Sequence, residues 1–223
     1  MIKDIKLGWR LIKCEINFNV AVYGIVLLVV VCGIFEWITH RSGISRIFAG
    51  FFPMILVYTI HSTSLSTLVQ SSACKKRMRT TIPALFGTIA MLIANTYCVI
   101  MYRNCHEWMI NTKDPAYVDF FFKSGEYEMD FIFTSIFIVL YVIAAILYAK
   151  YFLLGILTCV TFFIGYGIYI TQENFQYPMI SEGFAIAISY GIILLGGLLA
   201  YVFCLATYKK GYSMLAFKSE LKG

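Results

Sequence analysis

Six stretches of this chain contain no Lys, Arg, Asp or Glu and are each about as long as a bilayer is thick: Ile16–Phe35, Ile47–Cys74, Thr80–Tyr102, Phe131–Ala149, Tyr151–Gln172 and Gly183–Tyr208. A helical span needs about 20 consecutive apolar residues. The alternating pattern of ~10-residue barrel strands is absent, so helices are the reading that satisfies every backbone group in lipid. Runs four and five are separated by Lys150 alone. As one helix they would reach roughly 63 Å at 1.5 Å per residue, about twice the hydrocarbon thickness. A tight hairpin turning between Ala149 and Gly155 is predicted instead.

Composition agrees with this. The chain is 60% hydrophobic and only 13% charged, where an ordinary globular domain carries about 25% charged residues. In water such a chain would expose large apolar patches. Disorder, a collagen-like structure and a disulfide-stapled secreted domain are excluded. The fold class is therefore all-α: a polytopic membrane protein with six transmembrane helices.

Basic residues set the orientation. With the N-terminus in the cytoplasm, Lys3, Lys6, Arg10, Lys13, Lys75, Lys76, Arg77, Arg79, Lys150, Lys209, Lys210, Lys218 and Lys222 lie inside, thirteen in all, against five outside: Arg41, Arg46, Arg103, Lys113 and Lys123. Acidic residues lean the other way, with Asp4, Glu15 and Glu220 inside and the other nine outside. Both termini are thus expected in the cytoplasm of a cell (plasma) membrane protein. The formal net charge of +6 is mostly a topology signal, and no nucleic-acid partner is inferred from it. The first run is too long for the 7–15-residue core of a signal peptide, and no Ala-x-Ala site follows. Seven cysteines without a C-x-x-C pair support neither a zinc nor a redox site. Cys105 is the one placed near the outer face.

Outside the spans there is little chain. Residues 1–18 gather Ile2, Ile5, Leu7, Leu11, Ile12 and Ile16 near one face, with Lys3, Lys6, Arg10 and Lys13 elsewhere. That is an amphipathic helix lying on the cytoplasmic leaflet, either as a plain anchor or as a partner-binding element. A single six-helix domain then occupies 19–208, with a cytoplasmic loop at 70–81 and an external loop at 103–130, and a cytoplasmic tail follows at 209–223. In the external loop, Phe120, Phe121 and Phe122 read as an interfacial aromatic belt or a ligand site.

Reactive chemistry is not visible. There is no paired-Asp run for magnesium, and the one G-x-S, Gly211-Tyr212-Ser213, lies in the tail. His106-Glu107 lacks the second His of a metalloprotease motif, and no G-x-x-x-x-G-K occurs. No acidic residue lies mid-span to couple transport to protons or sodium. The chain is expected to be a non-enzyme, with no catalytic residue, no metal and no cofactor of its own.

Two features remain. Between Thr59 and Thr67, six of nine residues carry a hydroxyl and one is His61. Thr59, His61, Ser62, Thr63 and Ser66 read either as packing between helices, with hydroxyls bonded to the preceding turn, or as a polar wall facing a pathway or subunit interface. The second feature is the loop Ser71, Ser72, Ala73, Cys74, Lys75, Lys76, Arg77, Met78, Arg79, with four cations in five residues before Pro83. Anchoring to anionic lipid at about 1 kcal/mol per cation explains the charge. A short capped helix placed between two spans is explained less well that way.

Phe52-Pro53-Met54, Ser64-Leu65-Ser66, the Ser-Ser-x-Cys-Lys-Lys-Arg turn and Ile82-Pro83-Ala84-Leu85 resemble the small type-2 ABC exporter permeases of Gram-positive bacteria. The likeness covers about residues 50–90, with Ala73 or Cys74 where larger relatives carry Gly. The resemblance implies a bacterial permease subunit that pairs with a second copy or a related permease. It also implies that Ser71, Ser72, Cys74, Lys75, Lys76, Arg77, Met78 and Arg79 form a coupling helix seated on a separate ABC ATPase, which holds the ATP and magnesium. An amphipathic peptide is the implied substrate. Two rivals stand beside this. One is a membrane immunity or sensor protein that sequesters a toxic peptide. The other is the substrate-binding membrane subunit of a vitamin uptake system, disfavoured by a first helix rich in Val, Leu and Ile.

Overall fold

The structure, a computed structural model, describes residues 16–39, 44–64, 75–112, 126–171 and 180–209. Most of the predicted N-terminal amphipathic helix, the centre of the 103–130 segment and the tail beyond 209 lie outside the described residues. The elements are α1 (Ile16–Thr39), α2 (Ile44–Thr63), α3 (Lys75–Arg79), α4 (Thr81–Thr112), α5 (Glu126–Lys150), α6 (Phe152–Thr171) and α7 (Glu182–Ala206). Among the described residues there is no strand. The six long helices fall on the six predicted runs. Lys75–Trp108, Tyr127–Lys150 and Glu182–Ala206 are long and apolar enough to cross a membrane, and Tyr23–Thr39 is a shorter apolar helix.

Helix boundaries depart from the apolar runs where polar side chains intervene. The uncharged run two extends to Cys74, with a loop expected from residue 70, whereas α2 stops at Thr63. There the Thr63 hydroxyl donates to Ile60 O at 2.8 Å and the Ser64 hydroxyl to His61 O at 2.7 Å. These bonds saturate the last carbonyls and compete with a further helical turn. α4 departs in the other direction and runs 32 residues, about 48 Å at 1.5 Å per residue. It carries Arg103, His106 and Glu107 well past the apolar run, so helix occupies part of the predicted external loop at both of its ends. The hairpin turn is as tight as expected. Tyr151 alone separates α5 from α6, and its N–H still bonds back to Leu147 O at 2.5 Å.

Four helices close a ring: α2 lies on α4, α4 on α7, α7 on α5, and α5 on α2. Its core combines Val57 of α2, Met91 and Ala94 of α4, Ile138, Val142 and Ile146 of α5, and Ile193 and Ala200 of α7. α7 approaches closely because it carries glycines where it crosses its neighbours. A Cβ at Gly196 would strike Val139, and one at Gly197 would strike Thr88. α1 lies on α2 and α6 lies on α5, both outside the ring. Their free faces are apolar: Leu27, Val31 and Ile34 on α1, and Leu153, Leu157 and Ile164 on α6, are exposed. Such faces suit lipid or protein, not water.

Candidate functional site

The first polar cluster lies where α2 ends and α3 and α4 begin. Thr59 donates to Ile55 O at 2.8 Å, and Thr59 and Ser62 are buried. His61 is wholly buried, with Arg79 and Lys150 close enough to act on it electrostatically. The polar stretch read from the sequence as either packing or a pathway wall thus points into the bundle of a single chain. Thr63 is partly buried, and Ser66 lies outside the described residues.

α3 belongs to this end. Its five residues are amphipathic in the simplest way: Lys76 and Arg77 are exposed, while Met78, Arg79 and the following Thr80 are buried. Met78 is only 1% exposed. Thr80 bridges α3 and α4: its hydroxyl donates to Lys76 O at 2.7 Å, its N–H to Arg77 O at 3.3 Å, and its carbonyl accepts the N–H of Ala84 of α4 at 3.4 Å. Pro83 follows in the first turn of α4, where its missing N–H has no intrahelical acceptor to lose. Lys75 is half-buried, whereas Ser71, Ser72 and Cys74 lie outside the described residues. Of the residues predicted to contact a partner, Lys76 and Arg77 therefore supply the open surface, and Met78 and Arg79 tie the element to the bundle.

The second polar cluster, at the opposite end, was not singled out from the sequence. Arg46 of α2 lies 4.4 Å from the centre of the Tyr102 ring on α4. The Tyr102 hydroxyl donates a short hydrogen bond to the Asp130 carboxylate on α5. Arg46, Asn95, Cys98, Tyr102, Asp130 and Thr134 line a cavity of about 10 Å³, room for about one water. Deeper in the bundle, Asn95 of α4 donates to the Ser189 hydroxyl of α7 at 3.2 Å. Toward the helix tips, Arg103 meets Glu182 at 3.0 Å, Tyr127 donates to Glu182 at 3.2 Å, and His106 stacks on Tyr127 at 3.7 Å. Asp130 and Glu182 end apolar runs and so read as boundary charges. Asn95, the amide within run three, was the one available signal.

No family model, curated protein or solved structure matches the chain. Its chemistry has to follow from its own residues. Among the described residues, no group of three or more His, Cys, Asp or Glu is placed to hold a metal ion. The first cluster offers an anchored, outward-facing basic element, and the second ties four helices together by charge and ring contacts.

Proposed function

We propose that this chain is the permease subunit of an ABC transporter, driven by a separate ATPase and exporting an amphipathic peptide or similarly hydrophobic substrate. In this reading α1, α2, α4, α5, α6 and α7 all cross the bacterial plasma membrane, with both termini in the cytoplasm and the N-terminal segment on the inner leaflet. Two such chains, identical or related, surround the pathway. ATP and magnesium belong to the partner.

The observation that carries the reading is α3. A transmission element needs a surface for the motor and a stiff joint to the helices it moves. α3 has Lys76 and Arg77 exposed on one side, Met78 buried on the other, and Thr80 hydrogen-bonded both to Lys76 of α3 and to Ala84 of the 32-residue α4. A force applied at Arg77 is therefore delivered to α4 rather than absorbed by a slack loop. A planar guanidinium also suits a carboxylate-lined socket better than an ammonium does. The resemblance over residues 50–90 points to the same segment. The rival immunity-protein reading gives this element no task.

The test is affinity purification of the full chain from its native membranes, followed by ATPase measurement in proteoliposomes. An ATP-hydrolysing subunit should co-purify, and Arg77→Glu and Arg77→Lys should weaken its retention or uncouple its hydrolysis. Loss of one member of a desolvated charge pair costs about 2–5 kcal/mol. Met78→Ala serves as the contrast: it should lower the stability of the chain itself, because it empties a buried site at about 2–5 kcal/mol. If no ATPase accompanies the unaltered chain, the permease reading is wrong and the immunity-protein reading replaces it.

A further inference from the structure

The two ends of the four-helix ring are closed differently. The α3 end buries His61, Arg79 and Lys150 together with Met78, Ile82, Ile146, Ala149 and Cys204, these last five each 1% exposed or less, so separating the helices there also exposes closely packed apolar side chains. At the other end the α2, α4 and α5 contact runs through Arg46, Tyr102 and Asp130, beside a small cavity that Val99 and Phe131 also line. The Arg46 guanidinium and the Asp130 carboxylate thus meet through Tyr102, and each is hydrated once water enters. Val99 and Phe131 pack beside the cluster, but Tyr102 and Tyr127 are amphipathic and keep a polar tip for water. Between the two ends, α7 packs closely on α5 at Gly196 and on α4 at Gly197, against the side chains of Val139 and Thr88.

We propose that Arg46, Tyr102 and Asp130 are the latch of this bundle: they hold the ends of α2, α4 and α5 together, and their separation opens a hydrated mouth at the cavity lined by Asn95 and Cys98. Its role in transport rests on the permease reading, whereas the opening itself does not. The latch is the step that releases substrate on the side away from the ATPase, and α3 at the far end of α4 is where the motor would pull on it.

Cys98 is a built-in reporter, because it lines the cavity and is buried. Two full-length chains are made, one keeping Cys98 as its sole cysteine and the other keeping Cys204, which is buried at the α3 end. Each is placed in lipid nanodiscs and reacted with iodoacetamide, with and without Tyr102→Phe or Asp130→Asn. Tyr102→Phe keeps the ring under Arg46 and every charge, so it changes the latch without changing the electrostatics of the thiol. The expected result is a rise of about tenfold in the Cys98 labelling rate in both variants, as for a local opening made about tenfold more frequent, with Cys204 unchanged. Unchanged Cys98 labelling overturns the latch. So does an equal rise at both cysteines, which would mean a general loosening of the fold. Neither outcome involves an ATPase, so the latch and the permease reading fail separately.

Discussion

The Glu36 carboxylate, near the end of α1, accepts the backbone N–H of Ser45 at 2.8 Å and the hydroxyl of the same residue at the start of α2. Both groups are buried. The first N–H groups of a helix have no partner within it, and a carboxylate placed there also meets the positive end of the helix dipole. Glu36 thus caps α2 from the neighbouring helix. It ties α1 to α2.

Removing that cap should loosen α1. Hydrogen bonds to a charged group contribute about 1.5–3 kcal/mol each when intact. Glu36→Ala is expected to lower the denaturation midpoint clearly in an SDS titration. Glu36→Gln should lower it less, since the amide oxygen still accepts a bond. Equal midpoints for Glu36→Ala and the unaltered chain would show that α1 is held by something else.

The α5–α6 hairpin makes a second, sharper expectation. An added Cβ at Gly155 would sit 2.5 Å from the Cα of Tyr148, and a backbone cannot rotate out of the way as a side chain can. Gly155→Ala should therefore destabilise by about 1–3 kcal/mol, the usual cost of overpacking. Gly191, within α7, has nothing within 4 Å of that position. Gly191→Ala should be stabilising by roughly 0.5–1 kcal/mol, because alanine is the better helix former. The same SDS titration compares the two, and a reversal of sign would refute the close crossing at Gly155.

Orientation calls for reporters chosen by exposure. Cys105, the outward cysteine by sequence, is only 1% exposed and would label slowly on either side. Glu107, two residues nearer the tip of α4, has a side chain 67% exposed, and Lys76 is exposed at the other end. In a cysteine-free background, Glu107→Cys should react with an impermeant maleimide on intact cells. Lys76→Cys should react only after permeabilisation, because the proposed topology puts thirteen of the eighteen cations on its side and basic loops stay in the cytoplasm. The opposite pattern would invert the protein.

The long helices were legible because charge marks their limits. Lys150, alone between two apolar runs, was enough to call for a turn, and Tyr151 supplies it. What the runs could not reveal is where a helix continues beyond its apolar part. α4 carries on through Arg103, His106 and Glu107, where Arg103 reaches Glu182 and His106 stacks on Tyr127. Those are tertiary contacts, and periodicity within one helix does not contain them. The hydroxyl-rich stretch was ambiguous for a related reason. Thr59 can bond its own helix or face a pathway, and only the burial of His61 and Ser62 by neighbouring helices shows that this stretch faces inward. Arg46, Tyr102 and Asp130 were the least legible of all. Each looks like an ordinary span-end residue until three separate helices bring them together.

The bond between Asn95 and Ser189 joins residues 94 positions apart, and it has a consequence for how the molecule is made. α7 forms two sides of the ring, so the ring cannot close until α7 has left the ribosome. At about 5–20 residues per second of synthesis, the Asn95 amide waits roughly 5–20 seconds for the hydroxyl it will hold. Once α5 has emerged, α2, α4 and α5 form an open trough with a polar group on its floor until α7 arrives. The nascent chain is therefore most exposed to wrong partners while α7 is awaited, and a stall in translation between α4 and α7 would be more damaging than one earlier in the chain.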